Sequence, residues 1–568
     1  MSRQHRPPSD EGVATGHLLA LAFAHHRDGR PAEAEALYRR LLDRDPGHAD
    51  ALHLLGVLHA QTGRAVEAAR LIERAIAVSP GTPDFHLNLA NALLDGGRAA
   101  DAVPRYQEAL RLGADAATAL TGQGRAMIHL DRPDGAERYF RQAAAVAADP
   151  VPPLLELGAL LVDQDRPAEA VAALEHAVKQ APRRPDTWSA LGAAQRRLGQ
   201  PAHAAHCFAQ ARALAPRQAA HAANLGISLM ELGRLDEAAR QFDTAVALAP
   251  DDARHHYGRA FCRLLAGDLA GGFAEYAWRT RAPDFTSPRR VFDRPVWDGR
   301  PLPGGTILLH AEQGFGDTLQ FARYARRVAE RVPRVIVEAQ PELADLLATL
   351  DGVERVVVEG SPPPEVDAVC PIPELPRLFG TTLAGIPAEI PYLTPDPARR
   401  AVWRQRLDRI RDRRVGLVWA GRPTHPNDHN RSLTLSALAP LGRVPGVVFV
   451  SLQKGPAADQ TRLPPPGMAL WDAGSELADF ADTAAVLATL DLVITVDTAV
   501  AHLAGAMGVP TWVLLPVAPD WRWLLGRDDS PWYPSLRLYR QTAWGDWPGV
   551  VARVRDDLGR FDRSTRQP

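Results

Sequence analysis

The chain has 568 residues, with 65 basic and 67 acidic side chains and a formal net charge of -2. This length exceeds what one hydrophobic core normally supports, which predicts at least two domains. The balanced charge provides no basic surface for a nucleic-acid backbone, so we expect no nucleic-acid partner.

Cysteine spacing and hydropathy indicate the cellular compartment in which we expect the protein. The three cysteines, Cys207, Cys262 and Cys370, have no paired spacing, which argues against a disulfide framework or a zinc site and for a reducing compartment. The sequence has no apolar stretch of about 18 residues, and its first residues carry no signal-peptide core. We therefore expect a cytoplasmic protein with no transmembrane segment and with a disordered N-terminus over residues 1–14.

The first half of the chain is an internal repeat. From about Thr15 to Thr286 the same pattern returns about every 34 residues. A small residue recurs once per unit, at Ala34, Ala68, Ala102, Ala136, Ala170, Ala204, Ala238 and Gly272. Another small residue precedes each of these, at Ala22, Gly56, Ala90, Gly124, Gly158, Gly192, Gly226 and Ala260. The two series predict two helices that cross closely in every unit.

Bulky side chains and turn residues complete the unit. One helical turn after the first series stand Tyr38, Ile72, Tyr106, Phe140, Leu174, Phe208, Phe242 and Tyr276. These side chains lie on the same helix face and fill the groove that the small residues open. Between the helices stand Gly29, Gly63, Gly97, Asp131, Asp165, Gly199, Gly233 and Gly267. Glycine adopts a positive φ easily and aspartate tolerates it, so we predict a tight turn at each.

This pattern resembles the tetratricopeptide repeat, a helix-turn-helix of about 34 residues. The resemblance implies eight repeats over residues 15–286, arranged as an α superhelical solenoid that binds a protein or peptide. A spacer or an oligomerisation rod is the alternative role for the same array.

A proline-rich stretch follows the repeats and predicts a linker over residues 287–304. Beyond it, short β-rich runs alternate with helical runs, which is typical of parallel sheets flanked by helices. The alternation restarts once, so we predict two α/β halves, residues 305–396 and 397–568, with a ligand cleft between them. The predicted strands are 307–309, 335–337, 356–358, 366–369, 415–419, 447–452, 492–496 and 512–515.

The loop after the first of these strands carries Gly314, Gly316 and Asp317 and precedes a helix predicted from about Thr318 to Arg331. It lacks the third glycine of a dinucleotide-binding fingerprint. Its glycines allow a ligand to approach the backbone, and Asp317 projects into the predicted cleft. A simple helix-capping role for Asp317 is the alternative.

Two further loops follow strands of the C-terminal half. Residues 420–432 are dense in hydrogen-bond donors, and Arg431 suits phosphate recognition. In the other loop, Asp497 and Thr498 can cap a helix whose first amides attract a phosphate. His502 lies one turn further and either reaches a pyrophosphate oxygen or packs in the interior. Residues 420–432 also contain two histidines and an aspartate, but prolines flank the first histidine and disfavour a helix there, so we expect no metal site.

Taken together, the loops resemble the family-9 glycosyltransferases, whose members include the lipopolysaccharide heptosyltransferases. The resemblance spans about residues 306–558 and is closest to the bacterial branch in which this domain follows tetratricopeptide repeats. The matching motifs are Gly316-Asp317, Asn430-Arg431-Ser432, Ser451-Leu452-Gln453-Lys454-Gly455 and Val496-Asp497-Thr498-Ala499-Val500-Ala501-His502-Leu503.

The resemblance implies an α/β GT-B fold with two Rossmann-like halves. It also implies a C-terminal helix, at about residues 549–558, that crosses back to the first half. A tryptophan-rich segment at residues 520–534 is characteristic of the same branch.

The resemblance assigns a role to each site residue. Asp317 matches the catalytic aspartate, which takes the proton of the acceptor hydroxyl in an inverting displacement. Arg431 and Lys454 match positions that neutralise the departing nucleoside diphosphate. The other donor-binding positions are Gly316, Asp497, Thr498, Ala499 and His502. Enzymes of this type use a nucleotide sugar as substrate and need neither a divalent metal nor another cofactor.

The sequence therefore predicts a glycosyltransferase that modifies an acceptor hydroxyl, on a protein recruited by the repeats. Two other functions stay open: a non-catalytic scaffold that retains the transferase fold, and a cell-envelope saccharide enzyme of the heptosyltransferase type. Protein O-GlcNAc transferases share the layout, but only Asn88, Asn91 and Asn224 occupy the positions of their asparagine ladder. Their mode of peptide binding is therefore not expected here.

Overall fold

The computed structural model of the protein describes residues 10–561 except residues 284, 286, 289 and 426. Nine residues of the predicted disordered terminus, 1–9, lie outside this range, as does the predicted last repeat residue, Thr286. The chain forms two compact units. Of the described residues, the first comprises those within 10–198 and 206–214, and the second comprises those within 199–205 and 215–561.

Sixteen helices follow one another from Asp10 to Tyr276 and form eight antiparallel hairpins, as the repeat pattern predicts. The first helix begins at Asp10, inside the segment predicted to be disordered. Their bounds are α1 Asp10–Arg27, α2 Pro31–Arg44, α3 Ala49–Gln61, α4 Ala65–Val78, α5 Pro83–Asp95, α6 Ala99–Arg111, α7 Ala116–His129, α8 Pro133–Val146, α9 Val151–Asp163, α10 Pro167–Gln180, α11 Pro185–Arg197, α12 Pro201–Leu214, α13 Ala219–Glu231, α14 Leu235–Leu248, α15 Ala253–Leu265 and α16 Leu269–Tyr276.

The packing of each hairpin confirms the predicted roles of the repeated residues. All eight turn residues have a positive φ, from 53° at Asp131 to 89° at Gly267. A Cβ added to Gly124 would lie 2.4 Å from the ring of Phe140, which is fully buried. The two helices can approach each other only because the facing residue is this small.

A four-stranded parallel sheet follows the hairpins, in the order β3-β2-β1-β4. Its strands are β1 Thr306–His310, β2 Arg334–Ala339, β3 Arg355–Val358 and β4 Ala368–Pro371. All five residues of β1 are buried, as expected for a central strand covered on both faces.

A six-stranded parallel sheet forms the last part of the chain, in the order β10-β9-β8-β5-β6-β7. Its strands are β5 Arg413–Val418, β6 Val447–Ser451, β7 Leu470–Asp472, β8 Leu492–Val496, β9 Thr511–Leu515 and β10 Leu536–Arg540. The two edge strands, β7 and β10, were not predicted. Neither is a continuous apolar run, because edge strands are less completely buried.

The remaining helices lie before, between and after the strands. The α-helices are α17 Phe315–Phe321, α18 Ala325–Ala329, α19 Ala344–Leu347, α20 Leu375–Leu378, α21 Pro397–Leu407, α22 Asp428–Arg431, α23 Phe480–Leu487, α24 Ala499–Ala506 and α25 Trp547–Arg560. The 3-10 helices are Ala277–Arg281, Ala322–Tyr324, Pro341–Leu343, Ile372–Glu374, Leu383–Gly385, Leu435–Arg443, Pro456–Arg462, Gly474–Glu476 and Trp521–Trp523.

The helix predicted from Thr318 to Arg331 is therefore wrong in its bounds. It starts earlier, at Phe315, because Gly314 has an extended backbone and serves as the N-cap. A 3-10 turn over residues 322–324 then separates α17 from α18.

The proline-rich segment predicted as a linker pairs with the first sheet. Val296 forms a parallel bridge with Val369 in β4. The backbone N–H of Trp297 donates to the carbonyl of Val369 at 2.8 Å, and the Trp297 side chain is buried. Part of residues 287–304 therefore extends the sheet beyond β4.

The C-terminal helix α25 packs on the second sheet. Its buried residues Val550, Val551, Val554 and Leu558 belong to the same apolar cluster as residues of β5, β6 and β8. It contacts the 3-10 helix Leu435–Arg443 and β10. The helix that was predicted to cross back to the first half is thus seated on the second half.

Candidate functional site

The strand order of both sheets indicates where a ligand would bind. In the first sheet the chain runs from β1 through β2 to β3 and then returns to the other side of β1 as β4. In the second sheet it runs from β5 to β7 on one side and from β8 to β10 on the other. Open parallel sheets bind ligands at such switch points, outside the carboxyl ends of the strands. The three loops identified in the sequence follow β1, β5 and β8.

Asp317 lies in the first turn of α17, after β1. Its Oδ2 accepts a hydrogen bond from the backbone N–H of Gly314 at 3.0 Å, which is a capping contact. Its Oδ1 accepts a hydrogen bond from the guanidinium of Arg522, in the turn after β9. Burial raises the pKa of Asp317 above its usual value, although Arg522 and the Gly314 N–H act in the opposite direction. Capping alone therefore does not account for the surroundings of this carboxylate.

Arg522 is a central cation of the site and was missed by the sequence reasoning. Besides Asp317, its guanidinium donates to Oδ1 of Asp520 at 2.9 Å and to Oε1 of Gln320 at 2.5 Å. Only 10% of its side chain is exposed. The available signal was its position between two tryptophans in the tryptophan-rich segment, where a long cationic side chain is enclosed by aromatic surface.

The loop after β8 lies against α17. Thr498 is the N-cap of α24, and its hydroxyl oxygen lies 3.1 Å from that of Thr495. A Cβ added to Gly316 would lie 3.0 Å from Cδ2 of His502 and 3.9 Å from Cα of Ala499. The absence of a side chain at Gly316 thus allows α17 and α24 to approach, and the structure brings Gly316, Ala499 and His502 together.

His502 is buried and has both a polar and an aromatic neighbour. Its Nδ1 lies 3.0 Å from the hydroxyl of Tyr533. Its ring stacks on Trp523, with 5.5 Å between the ring centroids. Burial lowers the pKa of His502 well below its usual value, and Arg522 lowers it further. The imidazole is therefore neutral near pH 7, and any contact with a phosphate would be a hydrogen bond rather than an ion pair.

Asp497 brings a further carboxylate to the same place. It directly follows β8 and is 8% exposed. Burial and the neighbouring Asp520 raise the pKa of Asp497 to about 6, against the effect of Arg431 and Arg522. Within the described ranges, no three His, Cys, Asp or Glu side chains converge in a way that could hold a metal ion.

The loop after β5 is held in place by side-chain hydrogen bonds. Oε1 of Gln453 accepts from the backbone N–H groups of Trp419 and Ala420, both at 3.0 Å. The hydroxyl of Ser432 accepts from the N–H of Gly421 at 2.8 Å and donates to Oδ1 of Asp428 at 2.8 Å. These bonds fix the backbone next to Arg431.

Arg431 has an unsatisfied donor. Its Nε is shielded from solvent and has no hydrogen-bond partner among the residues that the structure describes. Oδ1 of Asp428 lies 3.5 Å from this nitrogen, which makes an ion pair but not a hydrogen bond. A buried donor without a partner is rare in folded proteins and is compatible with a ligand oxygen at this position.

Lys454 is engaged differently. Its ammonium donates to the carbonyls of Gly474 at 3.1 Å and Leu477 at 2.7 Å. These two bonds tie the loop after β6 to the segment after β7. Of the two cations predicted on the donor side, Arg431 has an Nε without a hydrogen-bond partner in the described part of the chain, and Lys454 uses its donors for the protein backbone.

Comparison with known families identifies the repeats. Models described as "Tetratricopeptide repeat" match residues 25–91, 87–151, 151–176, 190–239 and 223–284. The N-terminal region therefore carries tetratricopeptide repeats, which are protein-binding modules. No helix in the part of the chain described by the structure is long and apolar enough to cross a membrane.

One curated relative is Protein FlbA of Caulobacter vibrioides, which is 30% identical over 336 residues. The match covers 54% of this chain, and the chain spans 55% of the length of FlbA. Among solved structures, yeast Tom70 has a TM-score of 0.38 at 16% identity, covering 50% of this chain and 63% of Tom70. The Cut9-Hcn1 hetero-tetramer of the APC/C has a TM-score of 0.34 at 18% identity, covering 47% of this chain and 53% of that chain.

Proposed function

We propose that the α/β part of the chain is an inverting, metal-independent glycosyltransferase of the GT-B fold. It would move a sugar from a nucleotide-sugar donor to an acceptor hydroxyl. The observation that carries the proposal is the meeting of the Asp317 carboxylate with Arg522, beside Asp497 and Arg431, at the carboxyl ends of strands from both sheets. A base beside preorganised cations is what displacement of an anionic leaving group requires.

Asp317 is the proposed general base. It takes the proton of the acceptor hydroxyl while the oxygen forms a bond to the anomeric carbon. The bond from that carbon to the diphosphate oxygen breaks, and its electron pair leaves with the diphosphate. The raised pKa of Asp317 makes its carboxylate a stronger base. Each carboxylate oxygen has two lone pairs, so the bonds from Gly314 and Arg522 leave room for an acceptor hydroxyl.

The donor diphosphate is proposed to bind at the start of α24. The first backbone N–H groups of a helix have no partner within the helix, and the helix dipole favours an anion there. Thr498 and Ala499 open this helix, and the unpaired Nε of Arg431 supplies a cationic donor. Lys454 and His502 stay predictions on the donor side, although both already contact other groups of the protein.

We propose a protein as acceptor because the same chain carries tetratricopeptide repeats. Stacked helical hairpins present extended surfaces that suit polypeptides. On this proposal the repeats recruit the acceptor, and the α/β part carries out the transfer in the cytoplasm.

Calorimetric titration with UDP, ADP, GDP and CMP tests the donor site. Saturable binding of one nucleotide is expected, and it should weaken in the Thr498→Pro and His502→Ala variants. Failure of all four nucleotides to bind would contradict the proposal and favour a scaffold that only retains the fold.

Replacing the base tests the chemistry. In the Asp317→Asn variant, transfer from the sugar of the nucleotide that binds should fall by about 100-fold or more, the usual contribution of a general base. Nucleotide affinity should stay within about twofold. Asp459→Asn is a matched control, because 70% of the Asp459 side chain is exposed on the surface. Full activity of Asp317→Asn would rule out its role as the base.

A further inference from the structure

The last tetratricopeptide hairpin is built into the α/β part. The ring of Phe273 in α16 makes an edge contact with Trp521, with 5.5 Å between the centroids. A second edge contact joins Phe273 to Phe321 at 6.0 Å. Both helices of this hairpin lie in the same compact unit as the two sheets. The hairpin is therefore a fixed wall beside the turn that carries Arg522.

This hairpin also holds the loop that precedes Asp317. The hydroxyl of Tyr276 donates to Oε1 of Gln313 at 2.9 Å. Gln313 has a φ of 69°, which is uncommon for a residue other than glycine. Its backbone N–H donates to the hydroxyl of Ser287 at 3.0 Å. The position of the Asp317 loop thus depends on a side chain from the eighth repeat.

Tyr257, in α15, lies next to this contact and has a different environment. Its ring is 5.7 Å from that of Tyr276 and 4.9 Å from that of Phe261. Helix α15 contacts the 3-10 turn Trp521–Trp523. Burial raises the pKa of Tyr257 well above its usual value, and the charges of Asp317 and Arg522 act on it in opposite directions. Tyr257 therefore lies beside Tyr276, in a helix that contacts the turn carrying Arg522.

The hydroxyl of Tyr257 is free for a ligand. The side chain is partly exposed, and within the described part of the chain its hydroxyl makes no hydrogen bond, in contrast to that of Tyr276. A phenol hydroxyl both donates and accepts hydrogen bonds. Such a group beside a general base can hold the backbone or a side chain of an acceptor.

We propose that the hairpin Ala253–Tyr276 forms one wall of the acceptor site and that the Tyr257 hydroxyl positions an acceptor polypeptide beside Asp317. This inference rests on the proposed transferase function. A polypeptide is favoured over a saccharide because the wall belongs to the tetratricopeptide array, a protein-binding module. Tyr257 is a positioning residue in this account, and Asp317 performs the proton transfer.

Photo-crosslinking on the full-length chain tests the wall directly. p-Benzoylphenylalanine is placed at position 257 and, as a control, at position 139. Tyr139 is also partly exposed but lies in the fourth repeat, in the other compact unit. The probes are a random pool of 12-residue peptides containing Ser and Thr and a pool of oligosaccharides, each with UDP, ADP, GDP or CMP. We expect peptide adducts at position 257 to exceed those at position 139 at least fivefold.

Peptide adducts that are absent or no more frequent at position 257, or adducts with oligosaccharides alone, would overturn the inference. Nucleotide binding measured on the same samples separates the two proposals. If a nucleotide binds but no peptide reacts at position 257, the inference about the wall fails and the donor site stands. If peptides react there but no nucleotide binds, the transferase function fails and the peptide-binding wall stands.

The Tyr257→Phe variant tests the hydroxyl itself while keeping the ring. For a peptide identified by crosslinking, we expect KM to rise about tenfold, as for the loss of one hydrogen bond, with little change in kcat or nucleotide affinity. Tyr106→Phe is the control, because it removes a phenol that donates to Oδ1 of Asn91 within the array. An unchanged KM in Tyr257→Phe, at an unchanged melting temperature, would overturn the role of the hydroxyl.

Discussion

Replacing Arg279 with methionine should destabilise the unit that contains the two sheets. Arg279 directly follows the last hairpin and is 1% exposed. Its Nε donates to Oε1 of Glu312 at 2.6 Å, and a second nitrogen donates to Oε1 of Glu374 at 2.5 Å. Methionine retains the apolar stem, so the change removes mainly the charge and its hydrogen bonds.

The expected loss of unfolding free energy is about 3 kcal/mol. Removing one partner of a buried ion pair usually costs about 3–5 kcal/mol, because the other charge stays buried without compensation. Both glutamates are shielded, with 10% and 12% of their side chains exposed. In the variant, Glu374 still accepts a hydrogen bond from Nε of Arg377, which is 2.8 Å away. The expected loss is therefore at the lower end of this range.

Urea unfolding followed by tryptophan fluorescence measures this loss. Every tryptophan except Trp188 lies beyond residue 215, so the signal reports on the unit that contains Arg279. With a slope of about 3 kcal/mol per molar urea, the midpoint should fall by about 1 M.

The control is Arg326→Met, whose ion pair with Glu389 is 60% and 72% exposed and should contribute less than about 1 kcal/mol. If the midpoint of Arg279→Met equals that of the control, the reasoning is refuted.

The ion pair between Arg279 and Glu374 predicts how the stability difference between wild type and Arg279→Met depends on pH. Burial alone would raise the pKa of Glu374, but Arg279 and Arg377 outweigh it, so the pKa in the folded state lies below the usual 4.5. A lowered carboxyl pKa stabilises the folded state above the usual pKa, and this contribution disappears as pH falls through the folded-state pKa. The gap between wild type and Arg279→Met should be constant from pH 8 to 6 and should narrow below about pH 4.5. A gap that widens in acid would contradict the assignment.

Two further outcomes are expected. Gly124→Ala should lower the melting temperature followed by circular dichroism and cost about 1–3 kcal/mol, because the new Cβ would lie 2.4 Å from the Phe140 ring. Gly16→Ala is the control and should not lower the melting temperature, because its new Cβ would meet nothing within 4 Å. Equal melting temperatures of the two variants would contradict the predicted clash with Phe140. The pKa of Asp497 is raised to about 6. The negative charge of a diphosphate bound beside Asp497 favours its protonated form, so Asp497 should take up a fraction of a proton on binding near pH 6. Calorimetry in two buffers of different ionisation enthalpy measures the protons taken up on nucleotide binding. The Asp497→Asn variant should take up fewer protons than the wild type, and equal proton uptake would refute the role of Asp497.

The repeats could be predicted in detail because their rules are local. A glycine or aspartate at each turn needs only its own φ, and a small residue faces a bulky one within the same hairpin. Because the pattern occurs eight times, the repeat register can be assigned even where one repeat deviates at a single position. The carboxyl ends of the strands were also predictable, because each loop directly follows an apolar run.

The site itself depends on distant parts of the chain. Arg522 meets Asp317 across 205 positions, and helix α15 of the repeat array contacts the turn that carries Arg522. No local periodicity identifies such partners. The partners of Lys454 could not be predicted either, because its ammonium donates to the backbone carbonyls of Gly474 and Leu477, which lie in another loop.

The contact of Tyr276 with Gln313 restricts how this array can change its length. Tyr38, at the same position of the first repeat, packs in a cluster of residues from the first repeats, so a duplicated unit inserted there would give it the same kind of neighbours. The eighth copy has acquired a second role at the entrance to the α/β part. Natural or engineered variants should therefore gain and lose repeats on the N-terminal side, because an insertion after Tyr276 would separate the array from the loop that precedes Asp317.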